Sequence, residues 1–421
     1  MKPLSQTNLQ QIALSLTFII APLLCIAVMS GLSVVAGVCG VLVLICYIAQ
    51  ERSLPRFDKT LFFFLGGFLT LSASSAIWAE HPDFVIERTQ RLAANFAGGY
   101  LLLSCLASYK PKTSMASLFL CALLPFLILL AYLFIEYNYF QIIYTYVKNI
   151  PYIFGTYITP TRLNWLMIAV IGFMWPLIGH LLFQKKKIHA LIVFAVSFLI
   201  ASQALSQSAL LGIICSFLVF LSTYVLSKKH VKNLFIIGVI GLLFGLPLSL
   251  SKINDGIFYV DKTKTVYQLT SLEKYILTSS ASERLQIWKF ITKNIEKKPY
   301  IGHGIESTRF IKTKEKYQIV KNKTWRSVSH PHNGILQLWI EFGVLGVLFT
   351  SVFFIFLLNR IEKLPSYSFK AAVSTLAALF TVGSVGYGLW QGWWISTLFL
   401  CTAYCIMLTK IERNELHYAS K

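Results

Sequence analysis

Residues 329–343 read SHPHNGILQLWIEFG, so two histidines and an asparagine, His330, His332 and Asn333, stand directly before a run apolar enough for a lipid bilayer. A neutral imidazole can take the proton of an attacking hydroxyl, and an asparagine amide can hold a phosphate or sugar oxygen. One histidine at a membrane edge says little. Two of them with an asparagine at a helix start make a base with an anion site beside it, because first-turn N–H groups are unpaired and the dipole is positive there. Ser329 fits an N-cap and Pro331 a first helical turn, which predicts that the helix starts at this motif. His332 and Asn333 then sit in the first turn, and His330 precedes the proline on less constrained chain. The positive helix end favours a neutral, proton-accepting ring.

Asn333, Gln337 and Glu341 recur every four residues, one polar stripe descending about 12 Å at about 1.5 Å per residue. Glu341 is then below the interface, where an ionisable group is costly unless it faces the bundle interior or a wet cavity. It is a functional candidate or a brace for a neighbouring helix. Gly343 and Gly346 read as close helix-packing positions.

The element that must position these residues is a membrane bundle. Of 421 residues, 56% are hydrophobic and 13% charged, and the apolar residues fall in blocks of bilayer-spanning length. The expected class is an all-α integral membrane protein of about twelve spans, near 11–30, 31–49, 60–78, 91–109, 115–137, 163–183, 188–205, 207–226, 233–251, 332–358, 369–388 and 390–409. Residues 1–251 hold the first nine spans, 252–331 one loop domain, and 332–421 the last three spans and a short tail. The first apolar run reads as a span rather than a removed leader. All eight cysteines fall inside these spans, so no disulfide framework is implied.

Alternate short connections carry the basic residues: Arg52, Arg56 and Lys59, then Lys110 and Lys112, Lys185 to Lys187, Lys228, Lys229 and Lys232, and Arg360, Lys363 and Lys370. The positive-inside rule makes those connections and both termini cytoplasmic and puts residues 252–331 outside. The formal charge of +21 therefore does not point to nucleic acid. Part of it is topogenic, and much of the rest lies in residues 252–331, which hold sixteen Lys or Arg against seven Asp or Glu. Such a loop suits phosphorylated lipids and sugars, or is a solvated basic surface.

Within that loop, SASERLQIWKFITKNIEKKP, 280–299, reads as an amphipathic helix with Ser282 as N-cap, Leu285, Trp288, Ile291 and Ile295 on one face, and Pro299 at its end. Its expected place is the membrane surface, apolar side down. Arg284 either covers the Trp288 ring or holds a phosphate. In YIGHGIESTRF, Gly302 and Gly304 allow a tight turn around His303, a further candidate contact to substrate. No acidic pair on the outer side has metal-ligand spacing, so neither a metal nor another cofactor is expected, and arginines carry the electrostatic work.

HPHNGILQLWIEFGVLG resembles the H-x-H-N-x-x-L-x-x-x-x-E-x-G-x-x-G signature of the O-antigen ligase/polymerase superfamily, and SERLQIWKFITKNIEKKPYIGHG is similar to its R-x-x-x-W … P-x-x-G-x-G block. The resemblance implies a metal-independent inverting glycosyltransferase of GT-C-like helical architecture in a Gram-negative inner membrane. It would move glycan from undecaprenyl diphosphate to lipid A–core on the periplasmic face. Its partners would be those two substrates and membrane lipids, not nucleic acid. Residue by residue, His332 matches the acceptor-activating histidine and Arg284 a diphosphate-holding arginine. Arg162, in TPTRLNW, is a looser match for a second diphosphate contact.

One departure from the pattern bears on the donor grip. Where the family often carries S-R-S/G-A, this chain has SQSALLG, with Gln207 in the arginine's place. Gln207 can hydrogen-bond a phosphate without neutralising it. Arg88 or Arg91, in IERTQR, is the expected substitute. A polymerase using the same donor and a non-enzymatic transporter of lipid-linked glycan are the alternative readings. The short 138–162 connection favours the ligase, and nearly charge-free spans argue against the transporter.

Overall fold

The computed structural model describes residues 9–27, 32–110, 116–204, 206–252, 280–311 and 330–419. Among them the chain is helical without strands: α1 Leu9–Ala27, α2 Leu32–Glu51, α3 Lys59–Ser74, α4 Pro82–Ser108, α5 Ala116–Asn138, a short α6 Ile142–Lys148, α7 Pro160–Phe183, α8 Lys187–Gln203, α9 Gln207–Val225, α10 Lys228–Ser251, α11 Ser280–Ile295, α12 Gly334–Glu362, α13 Ser366–Val385 and α14 Gly392–Ala419. Ten of these helices are long and apolar enough to cross a membrane. The other two expected spans correspond to α8, which is shorter at 17 residues, and to α4. That helix begins at Pro82 rather than at 91, so its first turns carry Asp83, Glu87, Arg88 and Arg91. Pro82 suits the first helical turn, where its missing N–H costs nothing.

Every residue of α7 from Leu166 to Leu181 is buried. A helix apolar on all sides belongs at a bundle's centre, and α5, α8, α9, α13 and α14 pack around it. The outer helices show large apolar side chains instead, among them Phe62 and Phe63 of α3 and Ile237 and Leu242 of α10. That is the expected belt of a protein solvated by lipid tails.

At one end of the bundle the basic connections are tied by ion pairs, Asp58 with Arg360 and Lys232 with Glu362. Residues 280–311 and 330–333 cover the other end. The charge asymmetry is what leads us to propose that the first end faces the cytoplasm. A cysteine replacing Glu296, exposed just past α11, should react with an impermeant maleimide in intact spheroplasts, above the background of the native cysteines. Labelling that appears only after lysis would reverse the orientation.

Three local expectations change. Asn333 is the N-cap of α12, accepting from the Leu336 N–H at 3.0 Å. Pro331 and His332 therefore lie before the helix rather than in its first turn, and His332 adopts a left-handed φ of 54°. The asparagine side chain outcompetes an upstream cap because its carbonyl reaches the N3 amide directly. Ser329, the expected cap, lies outside the described residues. The amphipathic α11 starts at Ser280, so position 282 is inside the helix. Its Ile287, Ile291 and Ile295 pack on Leu336 and Ile340 of α12 and on Leu250 of α10. The apolar face meets protein, not bilayer, because α10 and α12 offer it a matching apolar groove.

The third change is at Gly343, where α12 is broken by φ 58°, ψ −153°. Residues 299–304 dock into the break. Val344 N–H donates to Pro299 O at 2.8 Å and Leu345 N–H to Tyr300 O at 3.3 Å, while His303 and Gly304 N–H donate to Ile340 O and Glu341 O, both at 2.8 Å. Interrupted backbone inside a membrane bundle persists only where protein supplies the missing partners, and the PYIGHG turn supplies them. A Cβ at Gly302 would lie 2.3 Å from the Glu341 carbonyl carbon, and one at Gly343 2.4 Å from that of Tyr300. Gly343 is thus a break in α12, not only a packing position.

Candidate functional site

The residues ahead of α12 are held from two sides. Trp288 of α11 donates its indole N–H to Pro331 O at 3.0 Å. His332 Nδ1 is 3.1 Å from Gly386 O, just past the end of α13. A carbonyl can only accept, so Nδ1 carries the proton and Nε2 is the proton-accepting nitrogen. Arg284 Nη1 donates to Val385 O at 2.8 Å. Adjacent carbonyls thus position the candidate base and the candidate phosphate ligand, and Arg284 reaches the α13 end rather than only covering Trp288.

The His330 and His332 rings are tilted by 45° with centroids 4.2 Å apart, and a Cβ at Gly388 would come within 3.2 Å of the His330 ring. Burial, then the neighbouring His332 and Arg309, push its pKa down to about 4. It therefore stays neutral at physiological pH. The Tyr387 hydroxyl hydrogen-bonds Ser206 and faces Arg284, which brings the start of α9 into the group. Ser206 caps that helix, and Gln207 is exposed in its first turn.

The polar stripe is a closed ladder. Asn333, Gln337 and Glu341 are all buried. Gln337 accepts from Leu389 N–H at 2.9 Å and donates to Glu341 Oε1 at 2.9 Å, while Trp390 donates to Glu341 Oε2. These contacts give Gln337 and Glu341 a clear task, which is to fix the 386–391 segment that presents Gly386 O to His332. Asn333 Nδ2 is buried without a partner among the described residues.

Arg88 and Arg91 stand elsewhere, beside Trp390. Arg88 and Arg309 share Glu306, at 3.4 and 2.6 Å, and both guanidinium groups lie over the Phe84 ring, at 4.5 and 4.8 Å. The sequence reading missed Arg309, in the STRF turn after the glycines, and Glu306, the residue just before that turn. Their only sequence signal was proximity to the R-x-x-x-W … P-x-x-G-x-G block. Arg162, at the start of α7, is turned to the α5–α7 connection, with its guanidinium 4.7 Å from the Tyr144 ring centroid. Three residues on, Trp165 stacks on Trp393, which meets Tyr387 edge-on. His303 lies within the docked turn, with its Nε2 3.1 Å from Asn294 O.

Residues 190–351 match a family model described as O-antigen ligase. That stretch holds α11, the docked turn and the HPHN segment. A Rickettsia conorii protein named “Putative polysaccharide ligase” is 30% identical over 227 residues, 53% of this chain and 52% of that protein. A Rickettsia bellii protein of the same name is 27% identical over 328 residues, 71% of this chain and 75% of that one. In the Rickettsia typhi relative the match is 29% over 226 residues, and the chain again spans about half of its length, 52%. The family match over residues 190–351 and these relatives together support placing the chain in the O-antigen ligase superfamily.

Proposed function

We propose that the protein is an O-antigen ligase, an inverting glycosyltransferase that moves glycan from undecaprenyl diphosphate to a sugar hydroxyl of lipid A–core on the periplasmic face of the inner membrane. The observation that carries this reading is the convergence of His332 and Arg284 on the neighbouring Gly386 and Val385 carbonyls. In the step itself, the acceptor oxygen attacks the anomeric carbon as its proton passes to His332 Nε2. The bond from that carbon to the diphosphate oxygen breaks on the opposite face, and the diphosphate leaves as an anion. Inversion follows from a single displacement. Arginines, rather than a metal, stabilise the leaving charge.

Arg284→Ala should abolish transfer, and Arg284→Lys should restore only part of it, because a point charge lacks the guanidinium fork that matches phosphate oxygens. The check is complementation of a gene-deletion strain, read on a lipopolysaccharide gel at equal protein levels. Loss of the whole ladder with normal core supports the ligase, whereas core plus one repeat unit supports a polymerase. An intact ladder with Arg284→Ala leaves the residue as a helix tie only.

A further inference from the structure

The connection between α5 and α7, residues 139–159, holds seven Tyr or Phe, no Asp or Glu, and a single charge, Lys148. Buried side chains clamp both of its ends to the bundle. Glu136 Oε1, near the end of α5, accepts from the Ile143 and Tyr144 N–H groups at 2.9 and 3.1 Å. Thr159 N–H donates to Gln141 Oε1, and Gln141 Nε2 donates to the Thr159 hydroxyl, both at 2.7 Å. The Tyr157 hydroxyl donates to Tyr137 O at 2.7 Å. Between these clamps the apolar side chains stand clear of the protein. Tyr146 is 87% exposed, Phe154 76% and Val147 70%, with Tyr139, Ile142 and Ile153 exposed beside them.

A contiguous exposed apolar surface marks an interaction site, and two features identify its occupant. The exposed stripe of α5, Leu120, Leu124, Leu127 and Phe134, leads into Tyr139 and Ile142, so the patch continues a surface that the bilayer already covers. The 20-residue span ending at Asn138 is about 30 Å long, a full hydrocarbon core. The patch therefore begins at headgroup level, where Tyr is enriched. It is the end that carries His332, because Asn138 donates to Gln203 at the end of α8, three residues before Ser206. We propose that residues 139–156 form a foot lying in the bilayer surface beside the site, with Tyr146, Val147, Ile153 and Phe154 among the upper acyl chains and Lys148 at the headgroup phosphates. The occupant is the phospholipid of that leaflet. A sugar-stacking platform would need hydroxyl-pairing groups between its rings, and here Ile142, Val147, Ile150 and Ile153 fill those places. This goes beyond the ligase reading and does not depend on it. Because Arg162 packs against Tyr144 of the same segment, the foot also sets how far the start of α7 stands from the lipid surface.

The test places the photocrosslinking residue p-benzoylphenylalanine at Tyr146 or at Phe154, one at a time, in the purified full chain. Each exchange puts one aromatic in place of another at an exposed position, so the fold is not at risk. The protein is reconstituted into vesicles of phosphatidylethanolamine and phosphatidylglycerol with radiolabelled headgroups. Ile237, exposed on α10, is the lipid-facing reference position, and Glu296, exposed just past α11, the water-facing one. After irradiation and removal of free lipid, label bound to the protein at Tyr146 and at Phe154 should approach that at Ile237 and stand severalfold above that at Glu296. Label at the Glu296 level at either position overturns the proposal. So does a covalent dimer in place of labelled lipid, which would make this face a contact between copies of the chain.

Discussion

Replacing His332 with alanine should lower glycan transfer by about 10²–10⁴-fold, the usual contribution of a positioned general base, without lowering the amount of folded protein. His332 is held in a left-handed backbone conformation, a strained geometry that costs about 1–3 kcal/mol and tends to persist where surrounding structure imposes it for function. Its Nδ1 is committed to Gly386 O, which orients Nε2 for proton transfer. His330 precedes the proline, and its alanine variant should be milder. The pH profile separates the two rings. With its pKa held down to about 4 by burial, His330 does not change charge near neutrality. A fall in rate toward lower pH that persists in His330→Ala therefore does not come from His330. The measurement is transfer by purified protein with saturating lipid-linked donor. An unchanged rate for His332→Ala would leave electrostatic positioning as the whole mechanism.

Gly343→Ala should cost the protein its outer turn. The φ 58°, ψ −153° conformation lies in a region that glycine alone occupies readily, and a side chain there costs about 1–3 kcal/mol. The new Cβ would also meet Tyr300 backbone at 2.4 Å, so either the turn or α12 must shift. Moving the turn breaks the four backbone hydrogen bonds at the break. The expected result is a lower melting temperature in detergent and faster tryptic cleavage after the exposed Lys297. Gly66→Ala in α3 is the control, because a Cβ there meets nothing within 4 Å. Equal melting and equal trypsin resistance for Gly343→Ala and wild type would mean that the turn is not held by this joint.

The bundle was legible because its spans rest on one strong signal, apolar length, and most ends fall within a few residues of expectation. The exceptions, the start of α4 and the end of α14, which runs to Ala419 instead of 409, carry charges inside a helix, and a hydropathy pattern stops where charge begins. The stripe of Asn333, Gln337 and Glu341 was also legible, since helical periodicity alone puts the three on one face. Its partners Leu389 and Trp390 were not, because they lie about fifty residues away and meet it only through the packing of α13 and α14. The cap at Asn333 was misread by proximity: Ser329 and Pro331 suggest an earlier start, but an asparagine three residues before an amide competes better. Nothing local in EFGVLG tells a packing glycine from a broken helix, because the difference is made by a turn some forty residues earlier in the chain. Arg309 escaped for a similar reason, being placed by Glu306 and Phe84 rather than by any motif.

The docked turn also sets where this chain can be cut and rejoined. Pro299 to Gly304 and Ile340 to Leu345 complete each other's backbone, so they are the two halves of a splice between an extramembrane segment and a membrane helix. A chimera that imports only residues 280–311 from a relative brings a foreign turn to this break. One that imports 280–345 carries the joint intact, together with Arg284, the HPHN segment and the Glu341 ladder up to its contacts on Leu389 and Trp390. The unit of exchange in such a protein is therefore neither the loop nor the transmembrane bundle, but a block that crosses the membrane boundary.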